Sequence, residues 1–150
     1  APDGQGSLTD HVVVGPDTYG VGGRRFADLA ALRASISEGA SAPAAVVVTP
    51  DLADAHAATA AVLALVQEYL AAPEFHHTRL VVLTTGATPA TAPTGPDAAR
   101  TAAAAGALWG LLRVVQAEHP GRVVVADVDG PAARDLALDE PQQAVTAAGR

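Results

Sequence analysis

Four short, valine-rich apolar runs punctuate the chain: Val12-Val13-Val14, Ala45-Val46-Val47-Val48, Leu80-Val81-Val82-Leu83 and Val123-Val124-Val125-Ala126. Each is continuous rather than alternating, the pattern of a strand covered on both faces. Three helical patterns lie between them. The first is predicted from Phe26 to Ser37, with Phe26, Leu29, Leu32 and Ile36 on one side and Gly39 at its end. The second is predicted from Asp54 to Ala71, carrying Ala58, Val62, Leu65, Val66 and Tyr69, and Pro73 stops it. The third follows Asp97, a candidate N-cap, and runs to Glu118 before His119-Pro120-Gly121 ends it. Strand, helix, strand at this spacing predicts βαβ units. The expected fold is therefore α/β and three-layered with a mostly parallel sheet, a pattern that Rossmann-like and flavodoxin-like sheets share.

A chain of 150 residues suits one domain, so residues 1–150 are read as a single unit. Residues 1–25 form an atypical leader and residues 86–97, rich in Pro, Thr and Ala, an expected mobile loop. Composition removes whole classes of chemistry. Lys, Cys, Met and Asn do not occur. Without Cys there is no thiolate nucleophile and no cysteine-ligated metal; without Lys there is no Schiff base and no P-loop lysine. Nine arginines, scattered rather than striped, stand against sixteen acidic residues, giving a net charge of −7. Nucleic acid needs a clustered basic surface, so it is excluded as a partner. No apolar run reaches the roughly 20 residues that span a bilayer, and the polar start is no signal peptide. No membrane association is expected, and a cytoplasmic setting is.

Gly15 to Gly23, GPDTYGVGG, follows the first predicted strand as a dinucleotide loop would. Phosphate binding there requires glycines at fixed offsets and a helix N-terminus aimed at the pyrophosphate. Gly15, Gly20 and Gly22 miss the G-x-G-x-x-G spacing, and miss the G-x-x-x-G-x-G spacing of short-chain reductases by one residue. Pro16 removes a donor and Asp17 adds negative charge, so a plain connecting turn is expected. Ser7, Ser35, Ser37 and Ser41 occupy no G-x-S-x-G elbow. His11, His56, His76, His77 and His119 form no H-x-x-x-H or H-E-x-x-H pair, and His76 and His77 point apart if the strand begins there. Asp127 and Asp129 end the last valine run, where α/β ligands collect, and an Mg²⁺ role is conceivable. The following Gly130-Pro131 favours capping of a next helix instead. Catalytic, cofactor-binding and metal-binding residues are therefore all expected to be absent.

The third helix stands out. Ala105, Leu108, Leu112 and Val115 make one apolar stripe, and Gly106, Trp109 and Gly110 lie off its centre. Small residues admit a close neighbour and Trp109 would anchor it; equally, Trp109 could fill the domain's own core. Both readings stay open. The G-x-x-x-G is no membrane dimer motif, since Arg113 and Glu118 share the helix.

Three stretches then resemble a known family. Residues 79–87 (RLVVLTTGA), 106–122 (GALWGLLRVVQAEHPGR) and 123–130 (VVVADVDG) are similar to the ketoreductase region of modular type I polyketide synthases, and more narrowly to its amino-terminal structural subdomain. Residues 26–48, 56–70 and 139–145 (DEPQQAV) agree in order and spacing, so the resemblance covers most of 26–150. The composition also suits the GC-rich coding of actinomycete synthases of antibiotic biosynthesis. The resemblance implies a truncated Rossmann-like fold that binds no cofactor itself. It implies a partner catalytic subdomain that holds NADPH and reduces a β-ketoacyl group on an acyl carrier protein, with other synthase domains alongside in one multifunctional enzyme. The family's catalytic Ser, Tyr, Lys and Asn find no match here; Tyr69, without a Lys partner, is assigned to the core. Thr85 stands where the family often shows Arg. The strand and helix that the family pattern places before the Val12–Val14 strand are not expected within residues 1–11, and GPDTYGVGG has no counterpart in the family pattern. The chain is expected to be one half of a bipartite domain, not an enzyme when isolated, that packs on and stabilises the catalytic half. Gly106, Trp109, Gly110 and Val145 are its expected contact residues, on helix 97–118 and segment Gln142–Thr146. The alternatives are a free-standing Rossmann-like nucleotide-binding protein using GPDTYGVGG with Asp127 and Asp129, and a non-reducing pseudo-ketoreductase half.

Overall fold

A parallel sheet forms when every strand must return by a crossover, and here the crossovers are the predicted helices. The computed structural model describes Leu8 and residues 10–92, 94–129 and 136–146. Its strands are β1 (His11–Val14), β2 (Arg24–Phe26), β3 (Ala45–Val48), β4 (Arg79–Thr84), β5 (Val123–Val128) and β6 (Gln142–Val145). Its helices are α1 (Leu29–Ser37), α2 (Ala55–Ala71) and α3 (Ala98–Glu118). The sheet order is β2-β1-β3-β4-β5-β6 and every pairing is parallel. The expected α/β, Rossmann-like architecture is present, with an all-parallel sheet.

Alternate valines of each strand feed two separate cores. Val12, Val14, Val46, Val48, Leu80, Val82, Val123 and Val125 pack with Leu32, Val62, Val66, Leu108 and Leu112 beneath the three helices. Val13, Val47, Val81, Leu83, Val124 and Ala126 form the second face, covered by Tyr19, Val21, Leu136 and Leu138. The steps β2 to β3, β3 to β4 and β4 to β5 run in one direction across the sheet, so right-handed crossovers place α1, α2 and α3 on one side. The step β1 to β2 runs the other way, and the same handedness sends residues 15–23 to the opposite face, where Tyr19 and Val21 pack. Among the described residues, the third layer is thus made of connecting segments rather than helices.

The helix starts repeat one device. Asp28 and Asp54 adopt extended backbone and accept from the N–H of Ala31 and Ala57, each at 2.8 Å. Asp97 takes the N-cap position of α3 but makes no side-chain cap, because φ −100° and ψ 10° turn its side chain from the first turn. The predicted first helix also needs correction: Phe26 ends β2, and the helix starts only after Asp28. Arg-Arg-Phe is short and charged, which is how an edge strand reads.

Candidate functional site

The glycine-rich turn that follows β1 closes on itself. Asp17 accepts from the N–H of Val21 at 2.8 Å and of Gly22 at 2.9 Å, so one carboxylate fills the pair of N–H donors that a phosphate would need. Gly23 must be glycine: its φ is +96°, and a Cβ would lie 3.0 Å from Nε2 of His11. His11 in turn bonds the Gly22 carbonyl at 2.8 Å. The segment is a connection held by its own side chains, as a plain turn between β1 and β2 would be.

A second carboxylate does the same behind β4. Asp127, 0% exposed, accepts five hydrogen bonds: from Thr84 Oγ1 (2.7 Å), Ala87 N (3.1 Å), Thr88 N and Thr88 Oγ1 (2.9 Å each), and Thr91 Oγ1. Among the described residues Asp127 is thus engaged by the β4 strand end and the loop after it, while Asp129 is exposed. The helix expected after Gly130-Pro131 lies outside the described residues. Within the Pro/Thr/Ala loop, Gly86 N also donates to Thr91 Oγ1 at 2.9 Å. The sequence reading missed this network; its signal is the spacing of Thr84, Thr88 and Thr91 against an Asp at the end of the neighbouring strand.

The strand begins only at Arg79, so the condition under which His76 and His77 would point apart is not met. They sit in a turn ahead of β4 with their rings edge to face, centroids 4.8 Å apart. Among the described residues no group of three His, Cys, Asp or Glu could hold a metal. Tyr69 is fully buried in the helix-side core, as expected. Its hydroxyl meets the carbonyls of Thr78 and Arg122, and Nε of Arg122 donates to it at 3.2 Å. Burial raises its phenol above the ordinary tyrosine value.

The expected contact residues separate. Trp109 is half-buried, packs against the helix-side core and donates from Nε1 to Thr84 Oγ1 at 2.9 Å, which joins it to the Asp127 network. Much of it belongs to the chain's own core. Val145 is 0% exposed within β6, so it cannot be a surface contact; as the inward residue of a strand paired to β5 it fills the second core. Gly106 and Gly110 are exposed, and a Cβ built on either would meet nothing within 4 Å. Beside them Val114 is 57% exposed, and Leu63 on α2 is 42% exposed. From Thr101 through Leu112 the helix carries no charged residue. Solvated helices ordinarily place charge on such a face. Among the described residues no helix is long and apolar enough to cross a membrane.

The family model described as the Rossmann fold domain of the polyketide synthase extender module SpnB matches residues 1–149, taking in the leader as well as the β-α repeats. Polyketide synthase GfsE of Streptomyces halstedii is 42% identical over 153 aligned residues, covering 93% of this chain and 4% of that protein. Spectinabilin polyketide synthase system protein NorA of Streptomyces orinoci is 43% identical over 117 residues, covering 73% of this chain and 6% of that protein. Mycoketide-CoA synthase of Mycobacterium tuberculosis is 42% identical over 85 residues, 53% of this chain and 2% of that protein. The chain thus spans a few per cent of the length of these relatives. With a parallel sheet whose crest loops bind their own carboxylates, and a family match running from end to end, the chain belongs to the Rossmann-fold domain family of polyketide synthase extender modules.

Proposed function

We propose that this domain is the structural, non-catalytic half of an NADPH-dependent β-ketoacyl reductase within a cytoplasmic polyketide synthase, and that it packs on and stabilises the catalytic half. The supporting observation is the outer face of α3, uncharged from Thr101 through Leu112 and open at Gly106 and Gly110. An interior helical glycine costs about 0.5–1 kcal/mol relative to alanine, so two on one exposed face are explained by a neighbour that must come close. Hydride transfer needs a proton donor set beside a cation; the chain contains no Lys, and Tyr69, which Arg122 does reach, is fully buried with its phenol raised rather than lowered. The N–H groups of Val21 and Gly22 are satisfied by Asp17, which supports the reading that NADPH is held by the partner rather than here.

Reconstitution of reductase activity from separately produced halves tests this. Gly110→Ala and Gly106→Ala should each stabilise this chain alone by about 0.5–1 kcal/mol, while weakening activity-restoring assembly several-fold. Val114→Arg should weaken assembly further with the fold of the chain unchanged. Assembly indifferent to all three variants, or reduction of a β-ketoacyl thioester by this chain with NADPH alone, would sink the proposal.

A further inference from the structure

An open α/β sheet binds ligands beyond the carboxyl ends of its strands, where neighbouring connections leave in opposite directions. In this sheet that point lies between β1 and β3. The connection after β1 crosses to the second face, whereas the one after β3 leads into α2 on the helix side. A crevice of about 490 Å³ opens at this point, within the range of small-molecule sites. Its polar lining comes from separate segments: Thr18 and Tyr19 behind β1, Thr49 and Asp51 behind β3, Thr85 behind β4, and Thr101 on the first turns of α3. Pro50 and Leu52 supply an apolar wall.

Two observations make this crevice chemically specific. The hydroxyls of Thr18, Tyr19, Thr49 and Thr101 form no hydrogen bond among the described residues, although the crest around them is closely bonded. The crevice lining also contains no cationic side chain, and the N–H groups of Val21, Gly22, Ala87 and Thr88 in the loops behind β1 and β4 are taken by Asp17 and Asp127. An anionic ligand would meet Asp51 and find no cationic side chain in the lining to balance its charge. Neutral hydroxyl groups, by contrast, can both donate to Asp51 and exchange bonds with each free threonine. We infer that the crevice between β1 and β3 binds a small neutral polyhydroxylated ligand, of about monosaccharide size. Burial and the nearby Asp127 carboxylate raise the Tyr19 phenol above its ordinary value, so that group remains a donor at neutral pH. This inference does not depend on the proposed pairing with a catalytic half.

Amide NMR spectra of the full chain, titrated with ribose, glucose and inositol to about 50 mM and in parallel with ribose 5-phosphate, test it. The expected result is saturable shifts confined to the amides around Thr18, Thr49 and Thr101 with at least one neutral polyol. Ribose 5-phosphate should bind at least tenfold more weakly than ribose. Thr49→Val and Thr101→Val, which keep side-chain shape, should each lower the affinity about fivefold while circular dichroism stays unchanged. No saturable shift with any neutral polyol, tighter binding of the phosphate, or variants that bind like the parent chain would each overturn the inference. A failure here would leave the reconstitution result untouched, so the two proposals are tested separately.

Discussion

The two ends of the sheet satisfy their backbone in opposite ways. At the carboxyl end of the strands, acids accept from N–H groups: Asp28 and Asp54 at helix starts, Asp17 in the loop after β1, and Asp127 near the end of β5. At the amino end, apart from Asp10, which accepts from Ala44 N at 3.1 Å, side-chain donors serve carbonyls. Arg122 donates to Phe75 O at 2.9 Å, Thr78 to Pro43 O at 2.6 Å, and Gln116 to Val123 O at 3.1 Å and Pro141 O at 2.6 Å. The cause is topological. Every strand points the same way and every helix runs back, so orphan N–H groups gather at one end and orphan C=O groups at the other. What the contrast teaches is that an Asp at a strand end in this fold is first a partner for the chain's own backbone. Among the described residues, groups left over from that duty, such as the hydroxyls of the crevice and the bare face of α3, are free to meet something else.

The carboxyl end should be the more costly to break. Asp127→Ala strands two N–H groups and three hydroxyls in a buried site, and we expect a loss of about 3–4 kcal/mol in urea unfolding at neutral pH. A loss below about 1 kcal/mol would mean that water replaces the carboxylate and that the loop is not anchored by it. At the amino end, Tyr69→Phe removes one hydroxyl but keeps the ring, so about 1–2 kcal/mol is expected. The Phe variant should also alter the alkaline limb. The folded-state phenol lies above its ordinary value through burial, so its contribution is complete below about pH 10 and is lost as pH rises through the higher folded value. The stability gap between parent and Phe variant should therefore narrow above pH 10; a gap that is flat to higher pH would contradict this assignment.

Much of the helix-covered half was legible because Val and Leu runs of this kind leave few alternatives. Val46 to Val48 and Leu80 to Leu83 are strands, and Pro73 does stop α2. Arg24–Phe26 was hidden because a short charged edge strand has no apolar run to announce it. β6 was hidden similarly: Gln142 is exposed and Gln143 is buried by bonds to Ala137 and Glu140, a local circumstance no periodicity encodes. For the candidate site, the poor fit of the glycine turn to phosphate could be read from Asp17, but not that this same Asp fills the pair of donors. Gly106 and Gly110 could be singled out from spacing, whereas the inward turn of Val145 depends on the register Val128↔Val145 and could not.

The smallest effect belongs to neither end but to the pair joining α1 to the turn after α2, and it marks where the contrast stops. Nε of Arg33 donates to Glu74 at 2.8 Å across the surface. That hydrogen bond, followed by other contributions including the charge of Arg33, holds the Glu74 carboxyl below the usual range. A carboxyl lowered by folding contributes stability that is complete above its unfolded value of about 4.3 and fades as pH falls through the lower folded value. Glu74→Gln should therefore lower the unfolding midpoint slightly at pH 7, with parent and variant converging in acid, and salt should shrink the difference as it does for any exposed pair. If the difference instead persisted at acid pH and high salt, Glu74 would be acting through packing rather than charge. Polar pairing outside the two sheet ends would then contribute more to this fold than the topology requires.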